Sequence, residues 1–188
     1  MYQYKRKNES IFAFGHNAGG DDNYDSENDF LCQHYRVIKM VEEKFMREAL
    51  RLAEEAAKDA EVPVGAVVVC DGEIVGRGKN SRENSKNALA HAEIEAINDA
   101  CKNLGGWRLW KCEMYVTLEP CPMCAGAIIN SRIKKLVYGA YDLKAGSCKS
   151  VINLFELPYN HKPEIVSGFM EKECSEILKK FFAELRGK

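Results

Sequence analysis

Two short motifs, His91-Ala92-Glu93 and Pro120-Cys121-Pro122-Met123-Cys124, set the strongest condition on how this chain can fold. They are distant in sequence, and their side chains make chemical sense together only if they meet in space. Cys121 and Cys124 stand at i and i+3, so on the first turn of a helix both can reach one ion. Pro120 and Pro122 suit a loop-to-helix entry, where proline's fixed φ is tolerated. A helix N-terminus also favours thiolate over thiol. His91, expected at another helix start, is the natural third ligand. Three protein ligands leave a tetrahedral zinc with one open position, the mark of a catalytic site rather than a structural one. Glu93 lies two residues beyond His91 and does not share its helix face, so it is badly placed as a ligand. Its expected place is beside a zinc-bound water, where a carboxyl group can take a proton and pass it on.

Two blander readings compete. A Cys-x-x-Cys pair also occurs as a redox dithiol or as half of a structural zinc site. The structural site needs a fourth Cys or His nearby, and Cys112, before a strand, and Cys148, in a distant loop, do not suit. A redox pair has no use for the upstream His-x-Glu. The two motifs together read as a zinc hydrolase with one Zn2+ per subunit.

Periodicity supplies the frame. A helical pattern runs over 42–58, with Phe45, Ala49, Leu52, Ala53 and Ala56 on one face. The apolar run 62–70 predicts a strand buried on both faces, and Asp71-Gly72 turns it into a second strand over 73–79. A polar loop spans 80–87. A helix follows from His91, with Ile94, Ile97, Cys101 and Leu104 as its buried stripe, and Gly105-Gly106 ends it. Strands are expected over 114–118, 135–140 and 164–169, a small-residue helix after Cys124, a short helix over 151–156, and an amphipathic helix over 171–186. This order implies an α/β fold, a three-layer α/β/α sandwich around a mixed five-stranded sheet. Residues 1–40 lack a sustained period and read as a poorly structured N-terminal extension to a zinc-dependent domain over 41–188. A start codon placed upstream of Met40 or Met46 and a partner-binding arm are the alternatives for that extension.

Composition enters through its exclusions. No apolar run reaches the roughly 18 residues of a membrane span, and no signal-peptide core is visible, so no membrane contact and a cytoplasmic location are expected. Of the eight cysteines, six (Cys32, Cys70, Cys101, Cys112, Cys148 and Cys174) lack metal spacing and read as reduced, mostly buried residues. The net charge of −1 weighs against a nucleic-acid partner unless a local basic patch exists.

The longer strings resemble bacterial tRNA-specific adenosine deaminases, within the cytidine deaminase-like zinc deaminases. They are Glu61-Val62-Pro63-Val64-Gly65-Ala66, Ala90-His91-Ala92-Glu93, Trp107-Arg108-Leu109, Tyr115 through Ala127, Tyr138-Gly139-Ala140 and Lys144-Ala145-Gly146, with Asn80 and Asn160-His161. The likeness runs from about residue 43 to the C-terminus. The zinc motif is common to the whole superfamily, whereas the longer string is far more specific. The resemblance implies hydrolytic deamination of adenosine to inosine at the wobble position of a tRNA, arginine tRNA being the expected one, with Glu93 as the proton carrier. It implies that Asn80 holds the base and that Asp142, Lys144, Asn160 and His161 contact the anticodon loop. Lys144, Lys149, Lys162, Arg132, Lys134 and Lys135 would supply the local positive field. It also implies a homodimer, with the small-residue helix from Cys124 near the subunit contact. The alternatives are a free-base deaminase acting on guanine or cytosine, and a non-catalytic zinc or RNA-binding module. The latter would have no need of Glu93.

Overall fold

Phe45, Met46, Ala49, Leu52, Ala53 and Ala56 recur at helical spacing, and all are buried on one face of α1 (Glu43–Lys58). The computed structural model describes residues 43–187. The reading of residues 1–40 and of Cys32 therefore lies outside the described residues. The apolar run forms β1 (Gly65–Cys70), and Asp71 and Gly72, both at positive φ (50° and 83°), turn the chain into β2 (Glu73–Lys79). Positive φ at both central residues gives the tight hairpin turn that matches strand twist. The polar loop after β2 contains one helical turn, α2 (Arg82–Ser85), which buries no residue.

Next come α3 (Ala92–Leu104), β3 (Cys112–Leu118), α4 (Pro122–Ser131) and β4 (Lys135–Ala140). Gly105 stops α3 in the left-handed region, its N–H donating to the carbonyls of Cys101 and Lys102. The expected short helix over 151–156 is only a 3-10 turn, Leu154–Glu156, capped by the Asn153 side chain. β5 (Glu164–Ser167) and α5 (Glu171–Arg186) complete the domain.

The five-stranded sheet has the order β2-β1-β3-β4-β5. β1 is antiparallel to β2 and to β3, while β3, β4 and β5 are mutually parallel neighbours. Alternate residues of β1 face opposite layers. Val67 and Val69 meet Phe45, Met46 and Ala49 of α1 and Cys174 of α5. Ala66 and Val68 join Ala96 and Ile97 of α3 with Ala125 and Ile128 of α4. The sheet is thus covered on both faces, as the sandwich requires.

The buried stripe of α3 differs from the expected one. It consists of Ala92, Glu93, Ala96, Ile97 and Ala100, while Leu104 is exposed and Ile94 and Cys101 are only partly buried. The reason lies on β2. A Cβ at Gly76 or Gly78 would run into the backbone of Ala92, Ala96 and Ala100. Glycine on the strand and alanine on the helix let the two backbones touch, so small residues rather than large ones define the contact. This close approach also fixes where His91 and Glu93 stand. Replacing Gly78 by Val should destabilise the domain by about 3 kcal/mol through overpacking. It should also weaken metal retention; urea melts and metal analysis of the purified variant read both.

Candidate active site

Strand direction explains why the two motifs meet. Because β1 opposes both β2 and β3, those two strands point the same way, and β4 runs parallel to β3. The carboxyl ends of β2, β3 and β4 therefore share one edge of the sheet, the usual place for a site in an open α/β sheet. His91 is the residue at the N-terminal boundary of α3, and Cys121 is its counterpart on α4, with proline at the first helical turn. Cys124 follows one turn into α4.

The donor atoms of His91, Cys121 and Cys124 all lie within 4.8 Å of one another. His91 Nδ1 stands 3.7 Å from Cys121 Sγ and 3.6 Å from Cys124 Sγ. Tetrahedral zinc with bonds of about 2.0 Å to nitrogen and about 2.3 Å to sulfur separates those atoms by about 3.5 Å. The donor set thus fits zinc in kind and in spacing. Glu93 is buried (4% exposed) but is not one of the donors that cluster among the described residues.

The electrostatics are those of a tightly shared proton pool. The Cys121 thiol is brought down to about 4, first by the hydrogen bond from Cys124 and then, against burial, by His91. Cys124, as donor in that bond and buried, is pushed up. His91 is raised mainly by its hydrogen bond with Cys121. Burial raises the Glu93 carboxyl above the ordinary range, and the nearby Cys121 charge adds to this. Burial thus favours the protonated form of Glu93 more than an exposed carboxyl would, which suits a group that carries a proton.

Asn80, at the end of β2, is 7% exposed, and its main-chain N–H donates to the Val64 carbonyl at 3.0 Å. Ser81 N–H donates to the Ala90 carbonyl at 3.0 Å, which sets Asn80 beside the residue preceding His91. Asp142 and Lys144 lie in the loop after β4, at the same sheet edge. Asp142 Oδ1 accepts from the N–H groups of Lys144 and Ala145 and so shapes its own turn. Asn160 and His161 are not brought to this edge. They precede β5 and are tied to the far end of α4, Asn160 to the Arg132 guanidinium and His161 Nε2 to the Ile133 carbonyl. A helix of 10 residues spans about 15 Å, which separates them from the cysteines. Lys135 is also removed from the expected basic patch: it is 2% exposed, with its ammonium 4.0 Å from Glu113.

Two carboxylates that stand in the longer strings, with no role assigned to them there, support the site. Glu119, 2% exposed, precedes the Pro-Cys-x-x-Cys turn. Its oxygens accept from the N–H groups of Asp142, Cys148, Lys149 and Ser150 and from the Ser150 hydroxyl. This clamps the loop carrying Lys144 to the cysteine turn. Burial alone would raise the Glu119 pKa, but the hydrogen bonds from Ser150, Asp142 and Cys148 win and lower it. Glu61, 1% exposed, accepts from Asn80 and from the Asn84 main chain. Their sequence signal is membership of the longer strings, which does not say what either carboxylate holds.

A lowered carboxyl pKa stabilises the fold fully above the ordinary carboxylate range, and that support is lost as pH falls through the folded-state value. The loop 142–150 should hold firm at neutral pH and open in acid. Glu119→Gln, with one acceptor oxygen in place of two, should cost about 3 kcal/mol at pH 7 and progressively less in acid. Hydrogen exchange at the amides of Cys148, Lys149 and Ser150 measures this, and unchanged protection in the variant would contradict the clamp.

Comparison with known proteins agrees with this geometry. The family profile for MafB19-like deaminases matches residues 40–186. The tRNA-specific adenosine deaminase of Bacillus subtilis (strain 168) is 50% identical over 148 residues, 78% of this chain and 92% of that protein. A structure from work on A-to-I editing by tRNA:A34 deaminases superposes with a TM-score of 0.71 at 45% identity, covering 73% of this chain and all of the other. The guanine deaminase of Bacillus subtilis is more distant, with a TM-score of 0.53 and 32% identity over 79% of this chain and 96% of its own.

Proposed function

The chain belongs to the tRNA-specific adenosine deaminases of the MafB19-like deaminase family, and on that footing we propose that it converts the wobble adenosine of a tRNA anticodon loop to inosine. Adenosine and water give inosine and ammonia. The observation that carries this reading is the His91, Cys121 and Cys124 donor cluster with the buried, non-ligating Glu93 beside it. Zinc held there would acidify a water to a pKa of about 7. Glu93 takes one proton from the attacking water and gives it to the purine ring nitrogen, then takes the second from the same oxygen and delivers it to the leaving amino group, which departs as ammonia. Its burial suits both tasks, since it raises the carboxyl above its ordinary range and eases proton uptake.

Asn80 holds the base through its side-chain amide, a group able to hydrogen-bond a base edge. The target base must leave its stack to reach the metal, and an unpaired anticodon loop lowers that cost. Lys144 and Lys149, exposed on the loop that Glu119 clamps, supply positive charge close to the cluster. Asn160 and His161, with Arg132 and Lys134, meet RNA only where it extends along α4, toward flanking nucleotides. Arginine tRNA is the substrate this reading expects.

A homodimer is part of the same reading. Met123, Gly126 and Ala127 of α4 are partly exposed, and a Cβ at Gly126 would meet nothing within 4 Å, which leaves room for close approach of a second copy. Sedimentation of the wild type at monomer mass throughout the micromolar range would contradict it. A cytoplasmic location agrees with the free state of all the described cysteines, and no described helix is long and apolar enough to cross a membrane.

The substrate is tested by incubating the purified protein with an anticodon stem-loop, free guanine and free cytosine in parallel. Inosine at the wobble position, with neither free base consumed, is the expected result. Ammonia from guanine with unaltered RNA would overturn the substrate.

A further inference from the structure

We infer that Glu61 is a positioning residue that fixes which side of the Asn80 amide the substrate meets, an inference that rests on Asn80 holding the base. Glu61 is 1% exposed and sits between α1 and β1, outside the metal cluster. Its Oε2 accepts from Asn80 Nδ2 at 3.2 Å, and its Oε1 accepts from the Asn84 main-chain N–H at 2.7 Å. Both oxygens are thus engaged by one short segment, the stretch that leaves β2 and leads to His91. The Asn80 main chain is held independently, through its N–H to Val64 and that of Ser81 to Ala90.

A carboxylate only accepts hydrogen bonds, whereas an amide has a donating and an accepting side that can exchange by a flip. Beside Glu61 one orientation is allowed: the Asn80 NH2 turns to Glu61, and the carbonyl Oδ1 is left on the opposite side. Asn80 then offers the nucleoside an acceptor, and the matching ligand group is a donor, an amine or a hydroxyl. Glu61 touches no substrate in this arrangement. It acts by refusing the flipped amide, which would place two donors against a donor on the ligand.

The test is a two-residue cycle on the full chain, read as KM and kcat with the anticodon stem-loop. In Glu61→Gln the single oxygen stays with the Asn84 N–H, and the new NH2 faces Asn80. The Asn80 amide then flips and offers its own NH2 to the substrate. KM should rise roughly 10- to 100-fold, the effect of one mismatched polar contact, with kcat little changed. Asn80→Asp alone sets two carboxylates against each other and should raise KM as well. The double variant, Glu61→Gln with Asn80→Asp, restores complementarity. The amide introduced at position 61 donates to one oxygen of the carboxylate introduced at position 80, and the other oxygen stays an acceptor toward the substrate. Its KM should return most of the way to the wild-type value, a recovery that a purely structural role for Glu61 would not produce.

An unchanged KM in Glu61→Gln, or a double variant no better than Asn80→Asp, would overturn the inference. Should Glu61→Gln alone fail to fold, the comparison of Asn80→Asp with the double variant decides. Zinc content and thermal melts of each protein separate folding from binding. If the wild type ignores the stem-loop and deaminates guanine, the tRNA reading falls. The same cycle read on guanine then still settles the role of Glu61.

Discussion

Glu93→Ala should lower the single-turnover rate of inosine formation by roughly 10,000-fold, the upper range for loss of a general acid–base group, while zinc content stays at the wild-type level. The expectation follows from placement. Glu93 is buried at the cluster and yet stands outside the donor set of His91, Cys121 and Cys124. Removing it leaves every metal donor in place. Glu93→Gln separates proton transfer from packing, because it keeps the volume and cannot carry the proton. The two variants should be equally inactive, with Glu93→Gln the better folded. Substantial turnover by either would mean that another group moves the proton. Loss of zinc from both would mean that Glu93 is a ligand.

Cys124→Ala should have the second largest effect, and it should differ in kind. Cys124 is fully buried, with its sulfur 3.6 Å from His91 Nδ1. Its loss leaves two donors, too few for a closed hold on zinc, and opens a small hole at the start of α4. Dialysed protein should fall from about one zinc per chain to almost none. Activity should drop by far more than the roughly 100-fold that loss of a supporting residue around a metal costs. Added zinc should restore little. A chelator should reproduce the inactivity in the wild type, and there added zinc should restore activity. Because metal and protons compete for Cys121, Cys124 and His91, retention should weaken as pH falls. Full zinc occupancy in Cys124→Ala would contradict the assignment.

What was legible in the sequence was what short-range chemistry decides. Cys121 and Cys124 mark their own helix turn, and Asp71-Gly72 marks its own hairpin. β4 and α5 fall where the apolar pattern puts them. What was not legible depends on partners distant in the chain. The buried face of α3 follows Gly76 and Gly78 on another strand, so of the large apolar residues in the expected stripe only Ile97 is buried and the alanines make the contact. Glu119 and Glu61 look like ordinary acids until the loops whose N–H groups they accept are folded around them. Asn160 and His161 follow the other candidate residues in sequence, but the parallel course of β4 and β5 carries them to the far end of the sheet. Lys135 reads as surface charge and proves to be a buried partner of Glu113. In each case side-chain type was readable and location was not, because strand direction and backbone approach decide location.

The central claim is that one imidazole and two sulfurs hold a single zinc, with a carboxyl group next to it that does not bind. X-ray absorption at the zinc edge of the purified wild type addresses this most directly. The account predicts two sulfur ligands at about 2.3 Å, one imidazole nitrogen at about 2.0 Å and one further light atom from solvent, with the same sulfur and imidazole shells in Glu93→Ala. A shell that loses a protein oxygen when Glu93 is replaced, or that contains any number of sulfurs other than two, would contradict it.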